Sequence, residues 1–80
     1  MIHELKILPN FLEDIVKGIK TFEVRFFDRP YKIGDYLLLK EYVNSHYTGR
    51  FTIVKITYIL SDEDYVKSNY CILGIENIKL

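Results

Sequence analysis

The chain has 80 residues, 49% of them hydrophobic and 15% aromatic, which predicts one small domain over residues 1–80 with a packed core. Its formal net charge is zero, with 11 basic and 11 acidic residues. A neutral chain does not attract a polyanion through its overall field. This counts against a strong nonspecific nucleic-acid binder, so nucleic-acid binding would need a local patch. The lone cysteine, Cys71, excludes an intrachain disulfide and is predicted to be buried.

The sequence lacks the patterns of membrane segments, metal sites and common catalytic motifs. No stretch has the length and apolar character of a membrane span, and the N-terminus does not show a basic region followed by an apolar one. We therefore expect a cytoplasmic protein without membrane contact. The histidines are not spaced as metal ligands, and neither a glycine-rich phosphate loop nor a Ser-His-Asp arrangement is found. We expect no metal and no cofactor.

The first quarter of the chain predicts a strand followed by a short helix. Ile2 to Leu8 alternates, with His3 on the same face as two apolar residues, so His3 is expected to be partly buried and bonded to backbone. Pro9 ends the strand and suits the first turn of a helix. The helical period is carried by Phe11, Leu12, Ile15 and Val16. Gly18 is predicted to end the helix in a left-handed conformation.

The second strand, predicted over residues 21–27, alternates strictly. Phe22, Val24 and Phe26 share one face, which we expect to enter the core. Glu23 and Arg25 lie on the opposite face with a threonine. Lys20 precedes the strand, close enough to join them. Polar groups of different character on one small surface predict a binding site, although a solvated strand face would show the same pattern.

The rest of the chain predicts three further strands. They are residues 36–42, residues 50–60 and residues 70–78, separated by a loop at residues 44–49 and an acidic turn at residues 61–64 that could open a helical turn. Gly74 within the last strand predicts a bulge or a close backbone approach. Five strands and one early helix predict a mostly β, small barrel.

A family resemblance sharpens this prediction. Residues 18–25, Gly-x-Lys-x-x-Glu-x-Arg, resemble the GxKxxExR signature of the ASCH domains in the PUA-like superfamily. The wider order of motifs, from residues 3–7 through residues 28–29 and 34–35 to residues 47–50, resembles a small bacterial and phage subgroup, DUF3850. The resemblance implies a PUA-like barrel with its helix beside a cleft. It also implies a histidine at the position of His3, which leaves open a role beside that cleft.

The leading hypothesis is a module that binds RNA or a nucleotide without chemistry of its own. In it Lys20, Glu23 and Arg25 line the cleft, because a guanidinium fork and an ammonium suit phosphate or a base edge. Further site residues are a basic rim of Arg29 and Arg50, a stacking surface at Tyr47, and His3. An ordinary loop and strand start would also explain Tyr47 and Arg50.

Two alternatives belong to other classes. Some ASCH members are amidohydrolases of N4-acetylcytidine that use a lysine at the place of Lys20, a threonine and a glutamate, so Lys20 and Glu23 become catalytic candidates. Here Glu23 stands where those enzymes have the threonine. The third hypothesis is a phage or mobile-element accessory that binds a host protein, because four tyrosines (Tyr42, Tyr47, Tyr58 and Tyr65) cannot all be core. The oligomeric state is left open.

Overall fold

The computed structural model of the protein describes residues 1–78; residues 79 and 80, which the predicted domain includes, lie outside the described residues. The chain forms a five-stranded sheet that curls into a half-barrel around one short helix, so the mostly β prediction is confirmed. The elements are β1 (Ile2–Ile7), α1 (Pro9–Val16), β2 (Phe22–Phe26), β3 (Tyr36–Val43), β4 (His46–Leu60) and β5 (Tyr70–Asn77). Within the described residues, no helix combines the length and apolar character needed to cross a membrane.

The strand order is β1-β3-β4-β5-β2, so the first two strands of the chain are the two edges of the sheet. β1 runs parallel to β3, and the other three pairings are antiparallel. The concave face carries the core, whose most deeply buried members are Leu12, Ile15, Leu37, Leu39, Val54, Ile56, Cys71 and Leu73. Burial raises the pKa of the Cys71 thiol, which disfavours the reactive thiolate.

Helix α1 forms where the pattern predicts it. Pro9 occupies the start of the helix, where its missing N–H costs nothing. At the other end, Gly18 has φ +78° and its N–H donates to the carbonyl of Ile15. The N–H of Ile19 donates to the carbonyl of Asp14, which completes a Schellman motif. With eight residues, the helix is too short to be stable alone and depends on its buried face.

The hairpin between β3 and β4 corrects the predicted loop at residues 44–49. The turn contains only Asn44 and Ser45, with φ of 52° and 66°, as the two-residue hairpin that matches strand twist requires. β4 therefore begins at His46 rather than at residue 50. Opposite Glu41 the register shifts, and Gly49 takes φ +96° in the resulting bulge. The motif that resembled a loop is a bulged strand.

The predicted close approach at Gly74 is confirmed. The pairing of β4 with β5 shifts register between Ile56 and Tyr58, directly opposite Gly74. A Cβ added at Gly74 would lie 3.2 Å from the Cβ of Tyr58 and 3.2 Å from Thr57 Oγ1.

In the predicted acidic turn, a hydrogen bond from the N–H of Val66 to the carbonyl of residue 62 closes a single turn.

Candidate functional site

The orientation of β2 is the reverse of the prediction. Phe22, Val24 and Phe26 are 45%, 52% and 52% exposed, whereas Glu23 is only 4% exposed. The pattern of alternation is correct, but the polar face points inward. The reason is that the Glu23 carboxylate is compensated by two cations, so that its burial is tolerated at the open edge of the half-barrel.

Glu23 is the centre of this polar cluster. Its Oε1 accepts a hydrogen bond from Lys20 Nζ, and its Oε2 lies 3.1 Å from Arg25 Nε and 2.9 Å from Arg25 Nη2. The side chains of Lys20 and Arg25 are themselves 14% and 21% exposed. The structure therefore brings Lys20, Glu23 and Arg25 together, as the sequence predicts.

Two arginines connect the edges of the sheet. Arg25 Nη2 donates to the carbonyl of Lys6 at 2.8 Å, and Arg29 Nη1 donates to the carbonyl of Glu4 at 3.2 Å. These carbonyls are two residues apart on β1, as expected for the side of the strand that is not paired with β3. Guanidinium groups therefore satisfy an edge that would otherwise expose unpaired carbonyls. Arg29 bonds β1 and Asp28 and is not part of the polar cluster.

A cavity of about 400 Å³ opens between the two edge strands and α1. Its wall is formed by Lys6, Ile7, Leu8, Phe11, Lys20, Phe22, Glu23, Val24 and Arg25. Two aromatic rings, Phe11 from α1 and Phe22 from β2, flank Lys20, with their centroids 5.3 and 4.7 Å from its Nζ. The volume and the mixture of apolar walls with a few convergent polar groups are typical of small-molecule sites.

The cluster retains hydrogen-bonding capacity. A carboxylate offers about four acceptor positions, and among the described residues Oε1 of Glu23 accepts only from Lys20. Lys20 uses two of its three donors, on Glu23 and on the carbonyl of Phe22. Arg25 Nη1 donates to none of the described residues. A ligand can therefore find both an acceptor and donors without breaking the cluster.

Arg50 and Tyr47 lie outside this cavity. The carboxylate of Glu41, 5% exposed, accepts from Thr48 Oγ1 at 2.7 Å and lies 3.5 Å from Arg50 Nη1. Arg50 Nη2 also reaches Glu13 of α1 at 3.1 Å, so this arginine ties the β4 bulge to the helix. Tyr47 is half exposed and packs edge-to-face on Tyr42, with ring centroids 4.9 Å apart.

His3 also lies outside the cavity wall, and its predicted backbone partner is wrong. The ring is 4% exposed, with Nε2 2.8 Å from Asp35 Oδ2 and an edge-to-face contact with Tyr31 at 4.8 Å. The hydrogen bond with His3 is the main reason that the pKa of Asp35 falls from 3.8 to about 2, helped by bonds from the N-terminal ammonium of Met1 and from the amide of Lys32. The histidine supports the fold on the inner face of β1.

This pair predicts a pH dependence of stability. Folding lowers the pKa of Asp35, so its charged form stabilises the native state above its ordinary pKa of 3.8, and this contribution disappears as the pH falls through about 2. Between those values we expect Asp35→Asn to show a shallower fall of unfolding free energy than the parent chain, measured by urea denaturation. Asp64→Asn, at an exposed turn, should keep the parental slope; an unchanged slope in Asp35→Asn would contradict the prediction.

Sequence reasoning missed the apolar walls and the buried acid of β3. Phe11 was expected only as part of the helix face, and Phe22 was expected in the core, yet both line the cavity. Glu41 was not singled out, although its partners in the Thr48-Gly49-Arg50 segment belong to the motif order noted above. Within residues 1–78, no group of three or more histidine, cysteine or acidic side chains is placed to hold a metal.

Comparison with known proteins gives a structural neighbour, a relative and a family for this chain. A solved structure, the hypothetical protein PH0355, superposes with a TM-score of 0.71 over 98% of this chain and 100% of its own, at 20% identity, which shows the fold alone. An uncharacterized 12.9 kDa protein in the GpA 3'region of Escherichia phage P2 is 42% identical over 69 residues. That match covers 81% of this chain and 63% of the phage protein, so the chain spans less than two thirds of its relative. A domain of unknown function, DUF3850, matches residues 2–75, and the chain belongs to this family.

Proposed function

We propose that this chain is an ASCH-type, PUA-like domain that binds RNA or a nucleotide in the cavity around Lys20, Glu23 and Arg25. The observation that carries the proposal is the convergence of the three charged groups of the GxKxxExR motif on one cavity with aromatic walls. A cytoplasmic location, where such ligands are available, is part of the same proposal.

The walls suit a planar base. Phe11 and Phe22 are 41% and 45% exposed, although aromatic side chains normally bury their rings. A base that stacks on either ring would remove this apolar area from water. The free acceptor position of Glu23 Oε1 could then accept a hydrogen bond from an exocyclic amine of the base. An anionic group of the ligand could not make this contact, because it has no proton to donate.

The cations suit a phosphate. Lys20 keeps one donor and Arg25 keeps its Nη1 donors, and both groups neutralise only one carboxylate. The cluster of Lys20, Glu23 and Arg25 therefore carries a net positive charge despite the neutral chain. Charge-assisted hydrogen bonds of this kind are about twice as strong as neutral ones, and they explain how a neutral protein can select an anionic ligand.

The test is a binding titration at low salt, where phosphate contacts are strongest. The four ribonucleoside monophosphates and a fluorescein-labelled octanucleotide RNA serve as ligands. We expect saturable binding, which Lys20→Met weakens about tenfold or more because a charge-assisted bond is lost.

The matched control is Lys67→Met, which removes the same charge from an exposed lysine outside the cavity wall. Its affinity should stay within about twofold of the parent chain, since a distant exposed charge contributes little. Absence of binding by the parent chain at low salt, or equal weakening in both variants, would overturn the proposal.

A second candidate function is hydrolysis of an acylated nucleoside such as N4-acetylcytidine. It is favoured by the largely buried Lys20 ammonium, which is hydrogen-bonded to Glu23 inside a cavity of nucleoside size. Water would add across the amide C–N bond and yield acetate and cytidine, with one of these side chains moving the proton. Release of cytidine from N4-acetylcytidine, lost in folded Lys20→Met and retained in Lys67→Met, would establish it; no release by the parent chain would reject it.

A further inference from the structure

The outer surface of the sheet carries a second group of cations and rings. Lys6 on β1 and Lys40 and Tyr42 on β3 alternate with buried residues, so they share the convex side. Tyr47 of β4 lies beside them because it pairs with Tyr42. These four residues are here called the lysine–tyrosine face. Register confirms the arrangement, because Lys6 pairs with Lys40 and Tyr42 pairs with Tyr47. The face spans three adjacent strands, or roughly 10 Å at two inter-strand spacings.

The lysine–tyrosine face begins where the cavity ends. Lys6 lines the cavity, and its carbonyl accepts from Arg25, while its Nζ lies 4.3 Å from the centroid of Tyr42. The next ring, Tyr47, lies beneath Lys40 Nζ at 4.6 Å. Cations and rings therefore alternate from the cavity rim across β3 to β4.

We infer that the lysine–tyrosine face binds a single-stranded RNA segment that continues out of the cavity, an inference that rests on the proposed function. Single strands are typically held by aromatic rings that stack on bases and by cations that follow the backbone. Here the long lysine side chains can swing from the rings to phosphates, which frees the faces of Tyr42 and Tyr47 for bases. The partner class follows from this interleaving of charge and ring.

One carboxylate opposes this binding. Glu4 Oε1 lies 3.4 Å from Lys40 Nζ, and the Glu4 side chain is 64% exposed on the same side of the sheet. In the free protein it holds Lys40, and it would repel a phosphate nearby. Removal of its charge should therefore strengthen RNA binding, a gain that a purely structural role for this surface would not produce.

The experiment compares mononucleotides with single-stranded RNAs of two, four and eight nucleotides by fluorescence anisotropy. We expect affinity to rise with length in the parent chain. Tyr47→Ala should weaken octanucleotide binding about tenfold and leave mononucleotide binding unchanged. Glu4→Gln should tighten octanucleotide binding about threefold, again without effect on mononucleotides. The control Tyr65→Ala removes a ring that is 78% exposed elsewhere and should match the parent chain.

The outcomes separate this inference from the proposed function. Mononucleotide binding with no gain from length, or equal effects of Tyr47→Ala and Tyr65→Ala, overturns the inference and leaves the cavity proposal in place. Octanucleotide binding that depends on Tyr47 without any mononucleotide binding would show that the face binds RNA without the cavity, which overturns the cavity proposal and, with it, the inference that the segment continues out of the cavity. No binding of either overturns both, and tighter binding of DNA of the same sequence overturns the assignment to RNA.

Discussion

Replacement of Glu23 by alanine is expected to lower the free energy of unfolding by about 3 kcal/mol, because removal of one partner from a buried ion pair leaves the others uncompensated. Glu23 is 4% exposed, and both Lys20 and Arg25 direct donors at it. Without the carboxylate these two cations would face each other in a partly desolvated site. Urea denaturation monitored by far-ultraviolet circular dichroism measures the loss.

Two further variants define this result. Glu23→Gln keeps an acceptor of similar shape and should cost less than Glu23→Ala. Glu76→Ala removes an exposed carboxylate from β5 and should change stability by at most about 0.5 kcal/mol. A loss below about 1 kcal/mol in Glu23→Ala would show that Lys20 and Arg25 gain other partners, and that the cluster does not depend on the glutamate.

The second large effect is expected at Leu12. This side chain is 1% exposed, and with Ile15 it provides the buried face of the eight-residue α1. Leu12→Ala should lower the free energy of unfolding by about 3 kcal/mol, since it removes buried methyl groups and leaves a cavity. Because α1 also carries Phe11 into the cavity wall, we expect weaker ligand binding at temperatures where the variant is still folded.

Val16→Ala is the matched control, since Val16 lies on the same helix but is 51% exposed. It should cost less than about 1 kcal/mol. Amide hydrogen exchange gives an independent readout: exchange in α1 should accelerate in Leu12→Ala and stay near the parental rate in Val16→Ala. Equal stability of the two variants would mean that α1 does not depend on its buried face.

Local chemistry made the start of the chain predictable. Strand β1 follows a strict alternation, Pro9 permits a helix start, and Gly18 permits the left-handed residue that ends it. Each of these features depends on neighbours within a few residues, so the local sequence is enough to predict it. The meeting of Lys20, Glu23 and Arg25 was predictable for the same reason, since all three lie within six positions.

Orientation was harder to predict than pattern. Alternation in β2 separates two faces but does not say which one is buried, and hydrophobicity favoured the wrong one. The buried face is compensated by Arg25, which bonds both Glu23 and the carbonyl of Lys6 on β1, and Arg29 bonds the carbonyl of Glu4 on the same strand. Those contacts join segments that are distant in sequence, and no local rule contains them.

The start of β4 was missed because its turn residues are atypical. Asn44 and Ser45 both adopt positive φ, a demand usually met by glycine at one of the two positions. Gly49 then suggested a loop, whereas it serves a bulge that turns Thr48 and its neighbours toward Glu41. A glycine in a strand and a glycine in a loop look alike until the partner strand is known.

The placement of β2 has a consequence for how the protein is made. Within residues 1–78, β2 pairs with no strand but β5, which comes last among the described strands along the sequence. A ribosome releases Lys20, Glu23 and Arg25 early, but their strand has no partner until residues 70–77 emerge. A nascent chain therefore carries the complete motif before the strand that pairs with β2 exists, and the cavity that β2 helps to line can form only after residues 70–77 have left the ribosome.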